Sequence, residues 1–456
     1  MPVIYAKFFL MGLWFLGPIF LFSTSVTAGQ TAGGAGWQVV SLFIVAMWVS
    51  FGASVQICTR QFIGRNQVVT MVLVAALLAS FGVPCLDDDL YRYIWDGYVS
   101  AKGLKPHIHP PVGGAEGFPA TVYRYISYRE VPSMYPPGAI VLFQGLWNVF
   151  QQSVDLWLKF MALVTVLTVF VFVRLAKAYS TSNLHVCFLL LNPLLIKEFA
   201  DSAHYDVICI LLTGVALLVS KDIDSRLFQR RLRFGLVAML LAVASLLKVY
   251  PLLLVPMWPD MNWKKRGLLL LLTTILVFLG LYLYFDDYED WLVYSEALRY
   301  FQKYWVFFPN LSDVLQWALS RSGTVQTTYE AWSLGGSVSK AIGLCGYILA
   351  FVFVNYRNLR AEVGLLWGLG SFIVFQPVVN VWYIFWLWPI LLIQPREHFR
   401  AVLFWGSLPM ICLFGYTFWA ELTDIRWLRW LAWGLWVGWG WLLYRTSWGK
   451  KEFFSS

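Results

Sequence analysis

An all-α, multi-pass membrane protein is the fold class that this sequence predicts, and three observations predict it. Of 456 residues, 59% are apolar, 18% are aromatic and only 13% are charged, with a mean hydropathy of +0.64. Apolar runs recur from end to end, and about 20 such residues are needed for each bilayer crossing. Short Lys and Arg clusters separate the runs. A soluble chain carries about 25% charged residues, so disorder, a disulfide scaffold and an ordinary cytosolic enzyme are excluded together. The 34 basic and 25 acidic residues leave a net charge of +9. Placed in short turns between apolar runs, that excess is what holds loops in the cytoplasm, and it excludes nucleic acid as a partner. The six cysteines are scattered without metal-like spacing.

Taken in order, the expected spans run 8–26, 38–58, 67–84, 156–176, 184–198, 206–220, 234–248, 267–285, 337–354, 361–376, 382–394, 401–419 and 430–446. They make a bundle of about 12–14 transmembrane helices. In the first, Lys7, an apolar stretch and Val26-Thr27-Ala28 also fit a signal peptide with its cleavage site. A retained helix is the reading adopted, and residue 30 lies outside the cytoplasm on either. Arg60 and Arg65 hold the second turn inside, so the third helix leaves near Pro84. Arg174 with Lys177, Lys221 to Arg233, Lys264 to Arg266, Arg357 with Arg360, Arg396 with Arg400, and Lys450 with Lys451 continue the alternation. One parity satisfies every cluster if 138–151 does not cross. That stretch follows Tyr135-Pro136-Pro137, a sound helix start because the first turn has no use for the missing N–H groups, and it is expected to lie along the outer membrane face. A short piece near 250–258 turns back. The chain thus divides into N-terminal helices (1–66), a core (67–395) with a large outer loop (84–155), and C-terminal helices with a short cytoplasmic tail (396–456).

The carboxylates gather on the outward side. Asp87-Asp88-Asp89 follows a span directly and continues as Leu90-Tyr91-Arg92-Tyr93-Ile94-Trp95-Asp96-Gly97. On a helix, Asp89, Arg92, Tyr93 and Asp96 share one face. One aspartate is explained by helix capping, whereas three side by side resist dehydration and imply use. A second cluster, Lys197, Glu198, Asp201, His204 and Asp206, follows Asn192-Pro193, and ionisable groups at membrane depth mark sites. His204 among carboxylates leaves a divalent cation open as cofactor, but no metal ligand set is assigned. Lys248, in Lys248-Val249-Tyr250-Pro251, ends an apolar helix outward; it either snorkels or takes a phosphate. Val378 to Pro389, with Tyr383, Trp382 and Trp386, is an interfacial belt or a sugar- or lipid-contacting wall.

Such a set suits sugar transfer at the outer face. A carboxylate takes the proton of an attacking hydroxyl, a cation stabilises the departing phosphate, and a single base opposite the leaving group gives inversion at the sugar carbon.

In this order, the Asp-rich loop start with Tyr91-Arg92-Tyr93-Ile94-Trp95-Asp96-Gly97, Gly103 and Pro106, then Tyr135-Pro136-Pro137, Asn192-Pro193, Ala203-His204-Tyr205-Asp206, Leu247-Lys248-Val249-Tyr250-Pro251 and Val381 to Pro389, the sequence resembles the GT-C glycosyltransferases. It is most similar to bacterial polyprenyl-phosphate-mannose-dependent mannosyltransferases and, distantly, to GPI mannosyltransferase 1. His107 departs from the family, which has Tyr after the loop's Gly-x-x-Pro. The resemblance, over about 67–395, implies transfer of a hexose, mannose being expected, from a polyprenyl-phosphate donor to an outward-facing lipid or glycan acceptor, in a cell-envelope membrane such as the bacterial inner membrane. It implies a base among Asp89, Asp88 and Asp87, in that order of preference. Arg92 and Lys248 are expected to hold the donor phosphate, with Tyr93, Asp96, Tyr135, Glu198, Asp201, His204, Asp206 and Tyr383 around sugar or acceptor. The rival class is a polytopic lipid or sugar transporter or flippase, which places paired charges at mid-membrane and shows inverted repeats; no repeat is visible here.

Overall fold

A computed structural model of the chain describes residues 2–27, 37–81, 83–114, 116–221, 227–304, 307–323, 327–356, 359–420 and 426–445. Ala28 of the cleavage-site reading, residues 222–226, Arg357, Lys450 and Lys451 lie outside the described residues. The fold is all-helical, and among the described residues there is no strand, only an isolated bridge between Phe307 and Val378.

Helices α1 (Pro2–Trp14), α2 (Leu16–Thr27) and α3 (Trp37–Thr59) open the chain, and α4 (Arg65–Ala79) leads to the first loop. That loop holds α5 (Asp89–Ala101), α6 (Ala120–Tyr123) and α7 (Pro137–Phe150). Then come α8 (Val154–Ala178), α9 (Asn183–Leu190), α10 (Pro193–Ile196), α11 (Asp206–Lys221), α12 (Leu227–Leu247), α13 (Tyr250–Leu254) and α14 (Trp263–Tyr284). A second long connection carries α15 (Tyr288–Tyr304) and α16 (Leu311–Ser322), followed by α17 (Thr328–Tyr356) and α18 (Ala361–Val374). The short α19 (Val381–Ile384), α20 (Trp388–Leu391), α21 (Phe399–Gly406) and α22 (Leu408–Cys412) precede the last helix, α23 (Arg426–Arg445).

Six of the described helical stretches are long and apolar enough to cross a membrane, or seven with α9 and α10 taken as one span bent by 52°. Hydropathy alone predicts more because it reads through breaks. Pro193, Pro251, Pro389 and Pro409 each open a short helix, and a proline cannot donate to the turn before it. Where α9 stops at Pro193, the Leu191 carbonyl accepts from the buried Trp14 indole at 2.7 Å, so the N-terminal helix is sewn to the core at the break.

The basic turns meet at one end of the bundle. Arg65 donates to Asn183 and to the Thr181 carbonyl, each at 2.7 Å, and Arg396 reaches the Ser180 carbonyl at 3.1 Å. Tyr179 and Lys221 share Asp260 at 3.0 and 3.2 Å, and Arg360 pairs with Glu397 at 3.1 Å. This grouping is the one the parity of Lys and Arg clusters predicts.

The first loop is a packed body at the opposite end. Gly97 lets α5 lie on α7: a Cβ there would stand 2.4 Å from the Phe143 carbonyl oxygen. Trp95, Tyr98, Phe118 and Trp147 pack edge and face around that crossing. Arg92 binds Asp96 at 3.0 Å and the Val131 carbonyl at 2.8 Å, while Ser133 donates to the other Asp96 oxygen at 2.6 Å. His107 and Lys105 both reach Asp290 at the start of α15, tying this loop to the second connection.

Candidate active site

The three aspartates leave α4 through Leu86, whose φ of 57° is left-handed. Ala203, φ 58°, makes the same turn just before His204. A bulky residue in that region is a real outlier, and such strain persists where surrounding structure enforces it, commonly at functional sites. The turns fan the side chains apart. One Asp87 oxygen accepts the Asp89 amide at 3.0 Å, as a helix-start carboxylate should. Its other oxygen faces His204 Nε2 at 3.1 Å. Asp88 turns the other way, to Ser127 and beside Tyr91. Asp89 keeps 32% of its side chain exposed and takes the Tyr93 hydroxyl at 3.3 Å, with His204 Nδ1 at 3.7 Å.

The second segment supplies what lies beneath. Asn192 caps α10 by accepting from the Leu194 amide at 3.1 Å, and the chain then widens into a π turn, Lys197–Asp201, a form often kept at functional sites. Glu198 Oε2 lies 3.3 Å from His204 Nε2, and both Glu198 oxygens accept from Tyr416 Oη, at 2.9 and 3.1 Å. Lys197 bonds the same tyrosine oxygen and stands 3.6 Å from Glu198. Asp201 accepts the Cys85 amide at 3.0 Å, pinning the two segments together. The His204 ring is stacked on Trp382, with centroids 3.6 Å apart.

The third element follows from α12 ending at Leu247. Lys248, 15% exposed at its side chain, stands 3.5 Å from Asp206 and over the rings of Tyr205 and Tyr383. Trp386 donates to Asp206 at 2.9 Å and stacks on Tyr383 and Tyr250. Tyr135 fills the angle between Tyr93, Phe143 and Tyr205.

Charge follows this geometry. Burial, with the neighbouring Asp87 charge, pushes Asp89 up to about 6, against His204 and Lys248. Asp88 is pushed up to about 7, chiefly by burial. Burial also opposes ionisation of Asp87, but the charge and hydrogen bond of His204 outweigh it and hold Asp87 below the ordinary range. His204 loses hydration by burial, yet Asp87 and Glu198 raise it to about 10, so it stands as an imidazolium. Ligand atoms of Asp87, Asp89 and His204 lie within 4.8 Å of one another, close enough to surround a divalent cation. A metal ligand must be the neutral imidazole, and the carboxylates here favour the protonated ring. A proton on the ring and a cation therefore compete for the same place, and no step below is routed through a metal.

The structure thus brings together Asp87, Asp89, Tyr93, Tyr135, Glu198, Asp201, His204, Asp206, Lys248 and Tyr383. Arg92 and Asp96 are paired with each other and with Val131 and Ser133, so both brace the loop. Glu198, Asp201 and His204 are 0–1% exposed, enclosed among neighbouring side chains. Tyr416 was missed: it lies beyond the 67–395 core, inside an apolar run, and its one signal is that a buried Glu198 requires a donor.

Fold and site define a multi-pass membrane protein with a partly exposed carboxylate set above a buried cation. A family model described as the N-terminal domain of alpha-(1->6)-mannopyranosyltransferase matches residues 16–263, more than half of the chain. The chain belongs to this family and is a mannosyltransferase, taking a sugar donor and a glycan or lipid acceptor. No curated protein and no solved structure matches it. The matched stretch contains the three aspartates, the π turn, His204 and Lys248, and ends before Trp382, Trp386 and Tyr416.

Proposed function

We propose that this mannosyltransferase moves one mannose from a polyprenyl-phosphate donor to an outward-facing hydroxyl of a lipid or glycan, with Asp89 as general base. The observation that carries the reading is that, of the three aspartates, Asp89 alone is partly exposed while lying within reach of the Lys248 charge. The acceptor O–H gives its proton to Asp89, the oxygen attacks the anomeric carbon, and the carbon–phosphate oxygen bond breaks with its electron pair going to the phosphate. Lys248, held by Asp206, meets that charge as it develops. Tyr383 and Trp386, both half-buried and stacked, offer a wall for the sugar or the first isoprene units. Attack opposite the leaving phosphate inverts the carbon, and inversion of a β-linked phosphate gives the α linkage in the family's description. The outward placement is supported by the basic turns meeting at the far end of the bundle from these carboxylates.

The test is incubation of purified protein with labelled polyprenyl-phosphate sugars and, in parallel, a nucleotide-diphosphate mannose. Release of polyprenyl phosphate from the mannosyl lipid is expected. Turnover of the nucleotide sugar alone overturns the donor; passage of intact lipid-sugar across vesicles without bond cleavage turns the reading toward transport.

A further inference from the structure

Four buried polar groups, Lys197, Glu198, Asp201 and Tyr416, take no part in the mechanism above, and each is 0–1% exposed. Three of them form one string. Lys197 bonds Tyr416 Oη, which donates to both Glu198 oxygens; Glu198 faces His204 Nε2, and His204 Nδ1 faces Tyr93 Oη at 3.3 Å and Asp89 at 3.7 Å. The string ends in the core at Lys197, so it is no path for a proton to water. It is a fixed set of charges under the base.

We infer that Tyr416 is a positioning residue for the transfer reaction: through Glu198 it holds His204 aimed at Asp89. Its ring is clamped edge-on by Phe43 of α3 and by Phe307, with centroids 5.7 Å away in each case, so its hydroxyl has one place to point. Glu198 has only buried partners, and without the O–H its charge is less well held in this low-dielectric setting. Glu198 is then free to turn from His204 Nε2, and the ring loses one of the two carboxylates that hold its charge and its aim toward Asp89. The other groups facing this string, Asp87 and Tyr93 from the first loop, Asp201 from the π turn, and Lys248 and Asp206 beyond Asp89, are unchanged by the substitution. Tyr416 and Phe307 both lie outside the family-matched stretch, so the base is completed by the C-terminal half and braced by an N-terminal helix.

This rests on the proposed function for its kinetic arm, and a second arm does not. The ring nitrogens of the five histidines are followed by NMR in 15N-histidine-labelled protein, with His204 assigned by His204→Asn. In the wild type His204 stays an imidazolium until about pH 10; in Tyr416→Phe it titrates at least about one unit lower. In the kinetic arm, the ring is still charged at pH 6, so the acid limb of kcat/KM stays near that of Asp89 while kcat falls about three- to tenfold as the aim toward Asp89 is lost, with KM for the donor unchanged. Partial misfolding removes folded protein without moving the His204 titration of what remains. Phe308→Leu, which loosens packing on Trp433 rather than on Tyr416, is the packing control and should leave the His204 titration and kcat where they were. An unmoved His204 titration in Tyr416→Phe, or an equal shift in Phe308→Leu, overturns the inference. A wild type that fails on the lipid donor while the His204 shift appears overturns the function and leaves this inference standing.

Discussion

Replacing Asp89 by Asn separates the three aspartates, which differ in what they touch rather than in what they are. The substitution keeps size and shape, and the remaining carbonyl still accepts from Tyr93, so the fold has no reason to change. What is lost is the proton acceptor. General-base catalysis contributes about 10²–10⁴-fold, so kcat/KM for the mannosyl lipid should fall by that factor, or about 2.7–5.4 kcal/mol at 1.36 kcal/mol per decade. Asp88→Asn should stay within about threefold, because Asp88 faces Ser127 and Tyr91, away from His204. Asp87→Asn removes a buried partner of the imidazolium and should show first as lost folded protein, at about 3–5 kcal/mol. The pH profile gives the sign independently. Burial and the Asp87 charge raise Asp89 to about 6, and the working form is the carboxylate. Activity is therefore full above that value and falls about tenfold per unit as pH drops below it. The assay is release of labelled polyprenyl phosphate by purified variants, normalised to monodisperse protein. Asp89→Asn retaining more than about a tenth of wild-type activity, or Asp88→Asn losing more than Asp89→Asn, refutes the assignment.

Three further outcomes follow from the same geometry. Lys248→Met should raise KM for the lipid-phosphate donor at least about tenfold, since a charge-assisted contact is worth about 1.5–3 kcal/mol, while acceptor KM stays put; equal changes in both would place Lys248 elsewhere. Gly97→Ala drives a methyl to 2.4 Å from the Phe143 oxygen and should cost about 1–3 kcal/mol, read as a lowered melting temperature in detergent, whereas Gly145→Ala, with nothing within 4 Å, should not. Chelation with EDTA should leave turnover unchanged, because the His204 imidazolium already supplies the positive charge among Asp87, Asp89 and Glu198; loss restored by Mg or Mn would replace that cation with a metal.

The sequence by itself determined the membrane class, the order of the helices, the end at which the acidic segments meet and the short list from which the site is drawn. Those follow from quantities local to a stretch: hydrophobic length, the position of Lys and Arg, and the prolines that start α7, α10 and α13. It could not choose among Asp87, Asp88 and Asp89, because adjacent side chains on a turn diverge according to one backbone angle, here the left-handed Leu86. It could not show that Arg92 is paired, because a free cation and one bound to Asp96, four residues on, have the same spelling. Tyr416 and Glu198, 218 residues apart, meet only because the C-terminal helices fold back over the π turn. The chemistry of the base depends on charges brought within a few ångströms in a dry interior, where Coulomb interactions are strong. That proximity is a property of the packed bundle and of nothing shorter.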